Sequence, residues 1–381
     1  MENSPVIHFL RALIQQTSLS GQESAVIQTV QAEMRRVGFD TVEVDRHGSL
    51  IGTISGHAPG HTLLLDAHCD TVGIITPERW THEPFAGTIA DGRMYGRGTS
   101  DMKGALAAMV HAAAQVDRSR IAGRVVVSVT VLEEVLEGVS LQPILDAIRP
   151  DYVVIGESTR LNLNHGGRGR AEILLEAIGK PAHSSNPQVG VNAIHKIIPA
   201  LQAIEAVPLG HDDLLGPGIM VLTDIISDPY PGYSVIPGRC LATYDRRLLV
   251  GETIESVTSG LQSLPSLAGV NIRVVEGEHH TYTGTSLRSA KFFPAWKFPA
   301  EHPFVQKALA GLRSAGLNPA LGAYRFCTNA ASSAGIYGIP TIGFGPSSEE
   351  MAHIIDEYIE IADVLAAQQG YLGIINAVLG R

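Results

Sequence analysis

Short apolar runs at Val42–Val44, Leu50–Ile54, Thr62–Leu65, Val125–Leu132 and Tyr152–Ile155 alternate with segments of helical pattern, and this alternation restricts the fold more than any other feature. Strands that alternate with helices build an α/β sheet with a parallel centre and helices on both faces. From Pro5 to Gly38 the periodicity predicts two short helices, with Ser20 and Glu23 at the spacing of a capping box ahead of Val26, Ile27, Val30 and Met34. A further helix is predicted to begin near Lys103. The conspicuous polar residues fall just past the strand ends. In open α/β sheets that is the crevice where ligands bind.

The pattern changes after Asn164. Gly166-Gly167-Arg168-Gly169 reads as a hinge, followed by a strand over Ala171–Ala177, a helix over Asn192–Ala206, strands near Gly218–Ile226, Arg239–Asp245 and Val270–Val275, and a helix over Thr253–Leu264. His279–Pro299, rich in Thr, Ser and Pro, reads as a return linker, and from Pro303 helix and strand alternate again, with a strand at Thr341–Phe344 and a last helix from about Tyr358. The chain's 381 residues exceed the roughly 250–300 at which one core stops growing. The expectation is a discontinuous α/β catalytic domain, residues 1–169 and 284–381, carrying an inserted smaller α+β domain, residues 170–283.

With 28 Lys and Arg against 38 Asp and Glu, the net charge of −10 disfavours nucleic acid and anionic membrane surfaces as partners. Three widely spaced cysteines, Cys69, Cys240 and Cys327, offer no CxxC pair, so neither a disulfide framework nor a cysteine zinc site is expected. No stretch approaches the ~20 apolar residues that span a bilayer, and the first residues lack a signal-peptide pattern. A cytoplasmic location is expected. Cys69 is expected to serve packing.

Leu63 to Thr71 ends a strand in His68-x-Asp70, and residues two apart on a strand share a side, so Asp70 can fix the tautomer of His68. Gly98-Thr99-Ser100-Asp101 delivers Asp101 just ahead of a helix, where it could equally cap that helix. Glu133-Glu134 closes the Val125–Leu132 strand; adjacent carboxylates in a crevice repel, and a cation relieves the conflict. One of the pair would then bind metal while the other faces water as a general base. Glu157 and His353 complete an oxygen-and-nitrogen donor set suited to zinc or a similar divalent ion. Two such ions are balanced by the carboxylates of Asp101, Glu134 and Glu157 together with one hydroxide, which is the neutrality a partly buried site needs.

In this order the motifs His-x-Asp, Gly-x-x-Asp-Met-Lys-Gly, Glu-Glu, Gly-Glu-x-Thr and a late His resemble the co-catalytic di-zinc aminoacylase and carboxypeptidase family, which includes acetylornithine deacetylase, succinyl-diaminopimelate desuccinylase and glutamate carboxypeptidase. Arg168-Gly169-Arg170, Asp245-Arg246-Arg247-Leu248, Phe293–Lys297 and Gly343–Pro346 resemble most the bacterial branch labelled selenium-metabolism-linked hydrolases. The resemblance implies that Asp101 bridges two divalent ions, zinc first, with manganese or cobalt as alternatives. His68 and Glu157 would complete one ion, and Glu134 and His353 the other, with Glu133 as general base and Asp70 behind His68. It further implies a cis peptide between Asp101 and Met102, and a lid that mediates a homodimer in which His183 reaches the neighbouring active site.

Arg246 matches the family arginine that grips a substrate carboxylate, with Arg247 expected as a surface charge, and Thr328 and Asn329 lie where relatives contact substrate. Ser234 stands where many relatives have Asn, and Asn329 where Asp is common. The implied activity is metal-dependent cleavage of the amide of an N-acyl amino acid or small peptide with a free carboxylate. A dipeptidase or carboxypeptidase and an N-carbamoyl amino acid amidohydrolase belong to the same group. Two readings from other classes are a catalytically silent binding or dimerisation homologue and a two-metal phosphoesterase.

Overall fold

A computed structural model describes residues 2–380. The main sheet runs in the order Thr41–Val44, Leu50–Ser55, Ala122–Thr130, Ala58–His68, Tyr152–Ile155, Thr341–Gly343, Leu163–Gly167, Trp296–Lys297, with Leu321–Tyr324 also paired to Leu163–Gly167. Its central pairs are parallel, with Leu65 opposite both Val127 and Val154, and its outer pairs at both ends are antiparallel. The expected mixed, centrally parallel sheet is therefore present.

Both faces of this sheet are buried because its central strands carry unbroken apolar runs, Leu63–Leu65, Val125–Val127 and Val153–Ile155. Leu63, Leu65, Val125, Val127 and Val154 join one core with the helices Pro5–Ile14, Gly104–Ala114, Pro303–Ser314 and Ile361–Leu379. Leu64, Val126, Val153 and Ile155 point the other way, into a second core with Leu141, Ile144 and Leu145. This is the period of two expected of a strand covered on each side.

A separate sheet, ordered Ile219–Asp228, Arg239–Leu248, Gly169–Ile178, Val270–Val274, forms the smaller inserted unit. The helices Ala193–Glu205 and Ile254–Gln262 cover one face, where Ile173, Leu175, Ala242, Tyr244, Ile197 and Leu261 share a core. Gly169 is a required glycine where the chain passes from the main sheet into the inserted one, since a Cβ there would lie 2.2 Å from the Phe293 carbonyl oxygen.

His279–Pro299, expected as a return linker, carries strands of its own: Glu276–His280 pairs with Ser286–Ala290, Phe292–Phe293 joins the inserted sheet, and Trp296–Lys297 joins the main sheet. Burial of Phe293 and Trp296 holds it there, a signal outweighed in the sequence by its Thr, Ser and Pro content. Ser20 and Glu23 do not form a capping box, because the helix starts at Ser24, Ser20 Oγ donates to Asp70 Oδ2 at 2.7 Å, and Glu23 accepts from the backbone of Gly21 and Leu132. Asp101 does not cap the following helix, which begins at Gly104.

Candidate active site

His68 is the last residue of its strand, Glu133 and Glu134 follow a left-handed turn at Leu132 (φ 60°), and Glu157 lies two residues past Tyr152–Ile155. Three neighbouring parallel strands thus deliver their polar residues to one end of the sheet. The Gly98–Lys103 turn brings Asp101 to the same place, through a cis peptide to Met102. His353, at φ 62° in the loop before the last helix, closes the set. Gly345 permits the close approach of this region, since a Cβ would come within 2.3 Å of the Gly156 carbonyl oxygen.

Two triads of donor atoms result. His68, Asp101 and Glu157 converge on one point, and Asp101, Glu134 and His353 on a second, with all ligand atoms of each group within 4.8 Å of one another. His68 Nε2 lies 3.0 Å from Asp101 Oδ1 and 3.4 Å from Glu157 Oε1. His353 Nε2 lies 3.1 Å from both Asp101 Oδ2 and Glu134 Oε2. The two oxygens of Asp101 are therefore divided between the triads. Glu133 Oε2 stands 3.9 Å from His68 Nε2 and belongs to neither.

The donor chemistry fits divalent ions. Among the described residues no lysine or arginine pairs with Asp101, Glu133, Glu134 or Glu157; their only cationic neighbours within ion-pair distance are His68 and His353. Burial pushes Glu157 up to about 7 and drives Glu133 well above the carboxylate range, with like charges adding to both. Burial and Asp101 likewise raise Glu134. Hydrogen bonds to Asp101 and Glu134 lift His353 to about 10. Such a cluster of crowded carboxylates is what cations at the two points would neutralise.

Asp70 organises the site without joining either triad. Its carboxylate accepts from the backbone N–H of Glu133 at 3.0 Å and of Glu134 at 3.1 Å, as well as from Ser20. His68 Nδ1 sits 3.0 Å from the Asp70 carbonyl oxygen and 3.5 Å from Oδ1. Donation there fixes the proton on Nδ1 and leaves the Nε2 lone pair toward Asp101 and Glu157. A second support is Glu357, which is fully buried, pairs with Arg97 Nη1 at 2.6 Å and accepts from the backbone N–H of Ser100 at 2.8 Å and of Asp101 at 3.2 Å. Buried Lys103 is structural: it donates to the carbonyls of Leu13 and Gln16. Burial pushes the Cys69 thiol well up, in keeping with packing.

A cavity of about 670 Å³ opens over the triads toward the inserted unit. Arg247 lines it, whereas Arg246 lies on the helix-covered side of its strand, beside Glu252 and Met220. Arg246 shares a face with the buried Cys240, Ala242, Tyr244 and Leu248, and Arg247, expected as a surface charge, takes the face toward the cavity. Thr328 and Asn329 are both buried, and neither lines the cavity. Asn329 instead donates to Asp66 Oδ2 at 2.8 Å and Thr130 Oγ1 at 2.9 Å, and accepts from Gly138 N at 2.6 Å. An Asp there would set two buried carboxylates against each other, which explains the amide. Arg325, Phe326 and Cys327 are the loop residues that do line the cavity. His183 is exposed on the inserted unit, its Nδ1 2.8 Å from Ser185 Oγ, and lies outside this cavity.

Residues 64–377 match the model of peptidase family M20/M25/M40. The protein YgeY of Escherichia coli K12, described as uncharacterized, is 35% identical over 359 residues, covering 92% of this chain and 88% of YgeY. An acetylornithine deacetylase of Proteus mirabilis is 28% identical over 389 residues, covering 93% and 92%. The M20 family metallo-carboxypeptidase Sso-CP2 of Sulfolobus solfataricus shares the fold at TM-score 0.77 and 17% identity, with 98% and 99% of the two chains covered. A matched span of this length, reaching from the strand that ends in His68 into the last helix, makes the chain a member of peptidase family M20/M25/M40.

Proposed function

We propose that this protein is a two-metal amidohydrolase that cleaves an N-acyl amino acid or small peptide carrying a free carboxylate. The observation that carries the reading is Glu133, a buried carboxylate beside the two donor triads and part of neither. His68, Asp101 and Glu157 would hold one ion and Asp101, Glu134 and His353 the other, with zinc the first candidate and manganese or cobalt compatible with the same donors. Two bound ions supply Lewis-acid polarisation of the scissile carbonyl and acidify water. Glu133 takes the proton of the attacking water and returns it to the nitrogen of the leaving amine as the carbon–nitrogen bond breaks. Asp70 holds His68 in the required tautomer and fixes the backbone that carries Glu133 and Glu134.

A deacylase is preferred to a dipeptidase, carboxypeptidase or N-carbamoyl amidohydrolase because acetylornithine deacetylases recur among the relatives. The phrases Arg168–Arg170, Asp245–Leu248, Phe293–Lys297 and Gly343–Pro346 support placement in the selenium-metabolism-linked branch. The test is amine release from N-acetyl, N-succinyl and N-carbamoyl amino acids and dipeptides, before and after chelation and metal restoration. Release that chelation leaves intact would refute the reading. Turnover of phosphate esters alone would favour the phosphoesterase.

Arg247 is the residue we assign to the substrate carboxylate, since a planar guanidinium in the cavity suits that anion. Arg247→Ala should raise KM about ten- to a hundredfold, the loss of a charge-assisted hydrogen bond. Arg246→Ala should leave KM alone and lower stability by about 1–2 kcal/mol through the loss of Glu252. The opposite pattern in steady-state kinetics would return the role to Arg246.

We also propose residues 170–283 as a lid that forms a homodimer in the cytoplasm. Ile219–Asp228 is an edge strand exposing Ile219, Val221, Ile225 and Ile226, a surface that a second copy would cover. His183 would then serve the neighbour's site. A sedimentation mass of one chain would remove this assignment. No helix among the described residues is long and apolar enough to cross a membrane.

A further inference from the structure

Four arginines line the cavity over the metal-ligand triads: Arg168, Arg170, Arg247 and Arg325. Arg170 is saturated, with Glu137 at 2.8 Å, Asp245 at 2.7 Å and Glu172 at 2.9 Å. Arg247 Nε lies 2.9 Å from Asp245, a carboxylate already shared with Arg170. Arg168 differs from both. It is only 7% exposed, yet among the described residues no carboxylate lies within ion-pair distance of it. Nε and Nη2 both donate to one neutral acceptor, the Leu215 carbonyl oxygen, at 2.8 and 2.6 Å, and among the described residues Nη1 has no hydrogen-bond partner.

Arg325 stands beside it. Tyr324 pairs with Gly167 in register, and Arg168 N donates to the Tyr324 carbonyl at 3.1 Å, so the next residues of the two strands are neighbours. Arg325 is largely exposed, and among the described residues its one ion pair is with Glu349, at 3.6 Å. Both arginines also line an adjoining pocket of about 590 Å³ beside the Asp213–Pro217 turn, so the cleft continues past the metal-ligand residues. Burial and the charges of Arg325 and Arg247 depress the pKa of Arg168, against the opposing charge of Glu349. Glu349, which lines the same cavity and pairs with Arg325, is the carboxylate that acts on Arg168, and one carboxylate between two guanidiniums, with Arg247 near, leaves positive charge for an anion to offset.

We infer that Arg168 and Arg325 form a second anion subsite, separate from Arg247, and that the preferred substrate is an amide bearing two carboxylates. The inference rests on the amidohydrolase reading for the identity of the amide, and on Arg168 for the second charge. That charge has two sources, the far end of the acyl group or the side chain of the amino acid. Both present the same planar anion to the same guanidinium edge.

Calorimetric titration separates these cases on metal-loaded protein carrying Glu133→Gln, which keeps ligands intact. One pair of ligands is N-succinyl-alanine and N-butyryl-alanine; the other is N-acetyl-glutamate and N-acetyl-glutamine. In one pair the dicarboxylate should bind about tenfold tighter than its neutral counterpart, the scale of one charge-assisted hydrogen bond. That pair identifies the source. Adding Arg325→Gln, an exposed substitution that the fold tolerates, or Arg168→Lys should each remove most of the preference. No preference in either pair, no binding of any ligand, or a preference that survives both substitutions would overturn the subsite. Hydrolysis of monocarboxylate amides without such a preference would sink the subsite and leave the amidohydrolase standing. A preference in protein that cleaves no amide would do the reverse.

Discussion

Glu133→Gln should lower amide hydrolysis by about 10²–10⁴-fold, the usual span for a positioned general base, while both ions stay bound. The separation follows from geometry. Glu133 contributes no atom to either donor triad, so its carboxylate can be lost without removing a ligand. Its backbone N–H donates to Asp70 Oδ1 at 3.0 Å, and this bond survives a change of side chain, so the strand end and the neighbouring Glu134 keep their places. Gln retains the volume of Glu and its hydrogen-bonding capacity, but it cannot take a proton from water. The measurement is kcat beside metal content by elemental analysis. Turnover within about threefold of the parent would remove Glu133 as the base, since general-base roles carry at least about a hundredfold. Loss of metal in the variant would instead make it a ligand.

Much of this site could be read from the chain because α/β sheets concentrate chemistry at one edge. His68, Glu133, Glu134 and Glu157 each sit within a few residues of a strand's carboxyl end, where sequence shows both the apolar strand and the polar residue that closes it. The strand interiors were equally legible, since the apolar runs Leu63 to Leu65 and Val125 to Val127 fit a strand buried on both faces, which is how they pack. Side-chain direction in the inserted sheet was less so. Counting by twos from Cys240 through Ala242 and Tyr244 puts Arg246 on the apolar face and Arg247 on the other, a signal that the motif comparison overrode.

Long-range partnerships had no local sign at all. Ser20 looks like a helix cap until Asp70, fifty residues away, is known to accept its hydroxyl. Asn329 looks like a substrate contact until Asp66 and Gly138 are seen to occupy its amide. Arg168 looks like part of a flexible hinge, although it is buried against the Leu215 carbonyl.

The Arg97–Glu357 pair is the clearest such partnership, 260 residues apart in sequence. Both side chains are buried, and burial raises the Glu357 carboxyl even with Arg97 beside it. Arg97→Ala should therefore destabilise the protein by about 3–5 kcal/mol, because it leaves a carboxylate buried without its cation. Pairing Arg97→Met with Glu357→Gln should recover a good part of that loss, since no uncompensated charge remains. The same substitutions test the site. Glu357 Oε1 accepts from the backbone N–H of Ser100 and Asp101, and Asp101 is the one carboxylate common to both triads. Slackening that turn would displace the carboxylate proposed to be shared by two ions, so affinity for both should fall together, by about 10–100-fold as for other residues that orient metal ligands. Denaturant unfolding of the chelated protein reads the first effect, and metal titration of the folded variants reads the second. A double variant as unstable as Arg97→Ala would show that packing, rather than the stranded charge, sets the cost. Loss of one ion with the other unchanged would show that Asp101 does not join the two sites.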